Sequence, residues 1–194
     1  MEPSGGLRER KKEATRRALH ESAMRLTFER GLDEVTVEAI ADAAGVSRRT
    51  FSNYFGGKED ALLYGDEQRM TALLRTFESR PPTEPSWAAL RASFDILFVQ
   101  AGDPRWAAQI RLARRHPSVL ARQLAGYAGY EGALAGLIAA RDALPPGSIR
   151  PRVMAGAFMS ALRITALTWI DEKSLRPLSE IAEETLTEMA TPFT

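Results

Sequence analysis

The stretch VTVEAIADAAGVSRRTFSNYF, from Val35 to Phe55, decides the architecture. Two short segments, Val37 to Ala44 and Arg48 to Tyr54, flank Gly45, and each follows a hydroxyl residue, Thr36 or Ser47, suited to capping a helix N-terminus. Short helices that cross steeply over a tight turn need a residue there that tolerates positive φ, the place Gly45 holds. The packing side fits: Val37, Ile40, Ala41 and Ala44 can meet Val46, Phe51 and Phe55, with Leu26 and Phe28 upstream available to close a small core. The pattern is that of a helix-turn-helix.

What remains on the second helix is polar: Ser47, Arg48, Arg49, Thr50, Ser52, Asn53 and Tyr54, with two guanidiniums in its first turn. A recognition helix presents its N-terminal residues to the major groove. Arg pairs bidentately with guanine, Asn with adenine, and hydroxyls bond phosphates or bases. The alternative is a helical hairpin with a solvated polar face; the spacing of Ile40, Ala41, Gly45, Val46 and Phe51 favours duplex DNA.

Outward from this segment almost everything reads as helix, because Ala, Leu, Arg and Glu dominate and apolar residues recur at helical spacing. Gly31 offers a left-handed stop to a first helix from Leu7 to Arg30. Beyond the motif, further helices are expected over Lys58–Glu78, Ser86–Ala101, Pro104–Arg115, Ser118–Leu144, Pro151–Glu172 and Leu178–Thr191. The expected class is all-α: a helix-turn-helix domain over 1–56 and a helical body over 57–194. The chain has no Cys, which excludes disulfides, thiolate metal sites and cysteine nucleophiles. Its two imidazoles lack metal or catalytic companions: His20 reads as a helix-surface or interface residue and His116 as a helix-end residue. No cofactor and no metal is expected. The start of the chain lacks the apolar stretch of a signal peptide and no long uninterrupted apolar window follows, so a cytoplasmic protein without membrane contact is expected.

The net charge of +1 does not announce a nucleic-acid binder, so the argument rests on where charge sits. Between Leu7 and Arg17, Arg8, Arg10, Lys11, Lys12, Arg16 and Arg17 face only Glu9 and Glu13. Alone, this run reads equally as a solvated helix face. Beside a helix-turn-helix, Arg8, Arg10, Lys11 and Lys12 are expected to approach flanking phosphates.

Together these segments resemble the TetR family of regulators. The resemblance runs through Thr15-Arg16, Glu29-Arg30-Gly31, Val35-Thr36-Val37, Ile40-Ala41, Ala44-Gly45-Val46-Ser47, Thr50-Phe51, Tyr54-Phe55 and Lys58-Glu59. It implies phosphate contacts from Thr36 and Thr50, positions in or beside the major groove for Arg48, Arg49, Asn53 and Tyr54, and a backbone contact from Lys58; Val46, Ser47 and Ser52 complete the candidate DNA-binding residues. Three departures stand out: Ser52 where Tyr is frequent, Thr27 where Phe is usual, and Gly57 in place of a capping hydroxyl.

The remaining two-thirds carries apolar stripes. Phe94 and Phe98, Trp106 and Ile110, and Tyr127 and Tyr130 are candidates for lining a largely apolar effector cavity, with Gln109 and Tyr127 able to orient a ligand; plain core packing is the competing reading. Arg111, Arg114 and Arg115 fit a solvated helix end or an anion contact. The last two helices carry small and apolar residues suited to a dimeric four-helix bundle, with Gly156, Ser160, Ile164, Leu167, Ile181, Leu186 and Met189 as candidate interface. A homodimer is also expected because one short recognition helix reads few bases, whereas two about 34 Å apart read a palindrome. The expectation is a repressor released from its operator by a small molecule. The alternative gives the body a protein-interaction role without a ligand. A helical enzyme is disfavoured, since the chain shows no glycine-rich phosphate loop and no clustered carboxylates.

Overall fold

A computed structural model describes residues 5–98, 104–173 and 175–190, with side chains described for 6–94, 107–173 and 175–190. The described residues form nine helices: α1 (Gly5–Arg30), α2 (Val37–Ala43), α3 (Arg48–Ser52), α4 (Lys58–Ser79), α5 (Ser86–Phe98), α6 (Pro104–Arg115), α7 (Pro117–Arg141), α8 (Arg150–Asp171) and α9 (Leu178–Ala190). No strand occurs among them. The expected helix ends at Ala101 and Thr191 lie outside the described residues. The chain divides into two compact units, the first ending at Asp66 and the second beginning at Glu67, so the first turns of α4 belong with the helix-turn-helix.

In the first unit, α1 stops where Gly31 takes φ +83° and its N–H reaches the Thr27 carbonyl at 2.9 Å. Leu19, Ala23, Leu26 and Thr27 recur at helical spacing and are buried. Phe28, one residue out of that phase, is 47% exposed, so the expected contribution of Phe28 to the core is overturned and Thr27 occupies the inward position. Its Oγ1 is buried without a hydrogen-bond partner. Leu32, Val35, Ile40, Ala41, Phe51 and Phe55 complete the small core, with Phe51 and Phe55 at 5.8 Å and Phe55 edge-on to Tyr64 at 5.6 Å. Tyr64 in turn donates its hydroxyl to the Glu13 carboxylate at 2.6–2.7 Å. His20 is half-buried, and its Nδ1–H donates to the Ala61 carbonyl at 2.8 Å, tying α1 to α4.

The second unit packs around Phe158 of α8, which meets Phe94 at 5.7 Å and Trp87 at 6.4 Å, both edge-on. Met70, Leu73, Phe77, Leu90, Leu134, Ile138 and Leu186 surround these rings. A smaller cluster joins Ala107, Trp169, Ile170, Leu178 and Ile181. Two arginines fasten the connections. Arg141 donates to the carbonyls of Arg80, Pro81 and Glu84 and lies over the Phe77 ring, fixing the loop between α4 and α5. Arg176, between α8 and α9, makes a bidentate pair with Glu172 at 2.8–2.9 Å and reaches Glu184 at 2.8 Å. The Arg176 hydrogen bonds hold the Glu172 carboxyl below its ordinary range, and donating to Glu172 and Glu184 pushes the guanidinium higher. By length and hydropathy α8 is apolar enough to cross a membrane, but its Ala155, Phe158, Met159, Ala161 and Trp169 are buried in the unit: it is a core helix.

Candidate nucleic-acid interface

The two helices of the motif are built as their caps require. Thr36 Oγ1 accepts from the Ala39 N–H at 3.1 Å at the start of α2, and Ser47 Oγ accepts from the Thr50 N–H at 3.1 Å at the start of α3. Between them Gly45 adopts φ +70°, and Val46 N–H closes back on the Ala41 carbonyl at 2.9 Å. An L side chain at Gly45 would be strained by that φ, although nothing stands within 4 Å of its Cβ position.

Only Phe51 of the five residues of α3 is buried; Arg48, Arg49 and Ser52 are exposed, as are Ser47 and Asn53, while Val46, Thr50 and Tyr54 are half-buried. Thus the core takes one ring from the helix and leaves its polar side chains facing solvent. Arg49 makes no ion pair among the described residues. Arg48, by contrast, is paired across the motif with Glu38 of α2. Sequence reasoning missed that pair, since a Glu ten residues before an Arg carries no helical-spacing signal.

A groove of about 880 Å³ runs between the start of α1 and the end of α3, lined by Leu7, Arg8, Glu9, Lys11, Lys12, Thr15, Thr50, Asn53 and Tyr54. The structure thereby brings Arg8, Lys11 and Lys12 together with three residues of the recognition segment, an arrangement whose cations and hydroxyls suit a phosphate chain. Thr15 joins them one turn beyond Lys11, a neighbour that the helical repeat could have supplied. Lys58 is placed differently. Its Nζ donates to the carbonyls of Leu32 at 2.8 Å and Val35 at 3.0 Å, which occupies two of its three donors in holding the α1–α2 connection.

A family model described as bacterial regulatory proteins, tetR family, matches residues 19–64, and one described as the MftR C-terminal domain matches residues 84–194. The HTH-type transcriptional regulator TcmR of Streptomyces glaucescens is 33% identical over 177 residues, covering 86% of this chain and 78% of TcmR. The chain belongs to the TetR family. As a TetR-family protein it is a DNA-binding transcriptional regulator, in a family of regulators rather than enzymes. Its fold is also similar to that of SmeT, the repressor of the Stenotrophomonas maltophilia multidrug efflux pump SmeDEF, solved in a complex with triclosan: TM-score 0.63, 19% identity, 93% of this chain and 96% of that one. The repressor FadR of Thermus thermophilus, solved with lauroyl-CoA, gives TM-score 0.56 at 26% identity, over 92% of this chain and 95% of FadR.

TetR-family regulators bind DNA as dimers and respond to small molecules, which directs attention to the residues expected to serve those roles here. Of the candidates for an effector cavity, Phe94 is buried against Phe158, and Tyr127 and Tyr130 pack beside the same cluster. Ile110 instead packs on the smaller cluster, and Gln109 is buried, accepting from Arg69 Nη2 at 3.1 Å. The side chains of Phe98 and Trp106 lie outside the described residues. Of the interface candidates, Ile181 and Leu186 are 2% and 1% exposed, buried inside their own unit. Gly156, Ser160, Leu167 and Met189 are half-buried and Ile164 is exposed. A groove of about 290 Å³ on this side is lined by Ile164, Thr168, Arg176, Ile181, Glu184, Thr185, Glu188 and Met189.

Proposed function

We propose that this TetR-family chain is a repressor that binds a palindromic operator as a homodimer and is released when a largely apolar small molecule enters the second unit. The observation that carries the reading is the composition of α3: its one inward residue is Phe51, and Arg48, Arg49, Ser52 and Asn53 point to solvent beside a groove walled by Arg8, Lys11 and Lys12. Arg49 and Asn53 read base edges, while Thr36, Thr50, Tyr54 and the α1 cations meet phosphates. Lys58 holds the loop that sets the start of α2 and offers its remaining N–H to the backbone.

Dimerisation is assigned to the outward side of α8 and α9. Ile149 and Val153 are 67% and 62% exposed, and together with Gly156, Ser160 and Ile164 they give α8 an apolar, small-residue side suited to a second copy. The effector reading is supported by triclosan and lauroyl-CoA in the related SmeT and FadR structures and by the aromatic residues of the second unit. Helix α4, shared by both units, transmits the change. For release, the effector must bind the non-binding geometry more tightly, since equal affinity for both geometries moves nothing.

The test is selection of a randomised duplex library on the full chain. We expect two inverted half-sites whose centres lie one helical turn, about 34 Å, or a multiple of it apart. Replacing Arg8, Lys11 and Lys12 by Gln should weaken all duplexes alike and lower the salt slope by about one for each lost contact. A single unrepeated site, or no enrichment, would overturn the reading.

A further inference from the structure

Glu38 and Arg48 lie 2.8 Å apart, Oε1 to Nη1, with side chains 52% and 71% exposed. One stands in the first turn of α2, the other opens α3, so the pair joins the beginnings of the two helices of the motif. An ion pair this exposed contributes little to stability, because solvent screens it and two long side chains must be held in one geometry. Its position is the informative feature. If the start of α3 enters the major groove, a carboxylate in contact with Arg48 enters the DNA surface with it.

A carboxylate in that place has two fates. Facing phosphate oxygens, it is repelled on every sequence. Facing a base edge, it accepts only from an exocyclic amino group, and in the major groove cytosine N4 and adenine N6 alone offer one. Arg48 meets the complementary requirement, since its guanidinium is best satisfied by guanine O6 and N7. A G·C pair presents both: acceptors on the purine and an amino donor on the pyrimidine, side by side as the carboxylate and guanidinium are.

We propose that Glu38 is a specificity-determining residue which, with Arg48, forms one reading unit for a G·C pair and penalises binding elsewhere. The proposal rests on the DNA-binding reading above and deepens it. On unselected DNA Arg48 stays with Glu38 and the carboxylate opposes the phosphates. On the operator, guanine takes the guanidinium and the cytosine amino group takes the carboxylate, so the exchange leaves neither charge unpaired. Arg49 makes no such ion pair among the described residues, so the base contact proposed for it involves no carboxylate.

The experiment compares the full chain with Glu38→Gln, Arg48→Gln and the double variant. The probes are the strongest duplex recovered from a randomised library and a scrambled duplex of the same composition, with salt held constant. Thermal melting of each variant, expected close to the parent at these exposed sites, accompanies the titrations. Glu38→Gln should bind the scrambled duplex about fivefold more tightly, as expected for removing one like charge at contact distance in water. Its preference for the selected duplex should shrink by at least that factor, and a G·C pair in each half-site should become tolerant of replacement. The double variant should lose no more preference than Arg48→Gln alone. Unchanged or equally reduced affinity for both duplexes would overturn the proposal while leaving the DNA-binding reading intact. Failure of the parent chain to prefer its selected duplex would overturn that reading instead.

Discussion

The two units spend their apolar residues differently. In the first, short helices have few residues to bury: α3 gives Phe51 to the core, and nearly everything else along it is polar and outward. In the second, α8 alone buries eight residues, among them Phe158, Trp169 and Thr165. Aromatic rings there pair with one another, as Phe94 and Trp87 do with Phe158. The exposed polar surface of the first unit is therefore conspicuous, as the remainder after a minimal core is satisfied. In the second unit a ring that packs and a ring that lines a cavity have the same sequence signature, so the apolar pattern alone singles out no site.

The largest expected effect separates the units outright. Phe51→Ala removes the only buried residue of α3 and should destabilise the first unit by about 3–5 kcal/mol, abolishing duplex binding. All three tryptophans lie beyond residue 66, so their emission should remain that of the parent if the second unit folds independently. Emission shifting with the loss of DNA binding would show that the two units unfold as one.

A smaller effect is expected at Lys58. Lys58→Met keeps the aliphatic stem and removes two charged hydrogen bonds to the Leu32 and Val35 carbonyls, so chemical denaturation of the first unit should show a loss of about 2 kcal/mol. A change confined to DNA affinity, without loss of stability, would make Lys58 a pure phosphate contact. Thr27→Val should act in the opposite direction. Deleting a buried hydroxyl that has no partner should stabilise the first unit by about 1 kcal/mol, read as a raised melting temperature. Destabilisation would show that the hydroxyl is satisfied in solution.

The smallest effect belongs to the second unit and to acid. Glu172 is held below the ordinary carboxylate range by Arg176, so its contribution is complete at neutral pH and is lost as pH falls through the depressed folded-state value. Denaturation profiles from pH 7 to about pH 2 should therefore steepen at the acid end. Arg176→Gln should flatten that acid-end dependence. A profile identical to the parent would remove the Arg176 clamp from the account.

Much of the first unit is legible in the chain itself because its geometry depends on special residues. Gly31 and Gly45 take the left-handed conformations assigned to them, Thr36 and Ser47 cap as their side chains allow, and Phe51 and Phe55 are buried. The positions least legible are those where phase or pairing decides. Thr27 and Phe28 differ by one residue on a helix of 26, and a rotation of about 100° exchanges core for surface. Lys58 looks like any surface cation until two carbonyls 23 and 26 residues upstream are brought to it. Ile181 and Leu186 are apolar on an amphipathic helix, and the pattern alone does not say whether α8 of the same chain or another copy covers them. The exposed polar side chains of α3 were readable because the core takes only Phe51 from that helix, although Arg48 is paired with Glu38.

The central claim is that the outward side chains of α3 read bases rather than merely attract phosphate. Its most direct measurement is the affinity of the Arg49→Ala chain for the library-selected duplex and for a scrambled duplex at one salt concentration. The account predicts a loss of about 1–3 kcal/mol on the selected duplex, several times the loss on the scrambled one. Equal losses on both would contradict it.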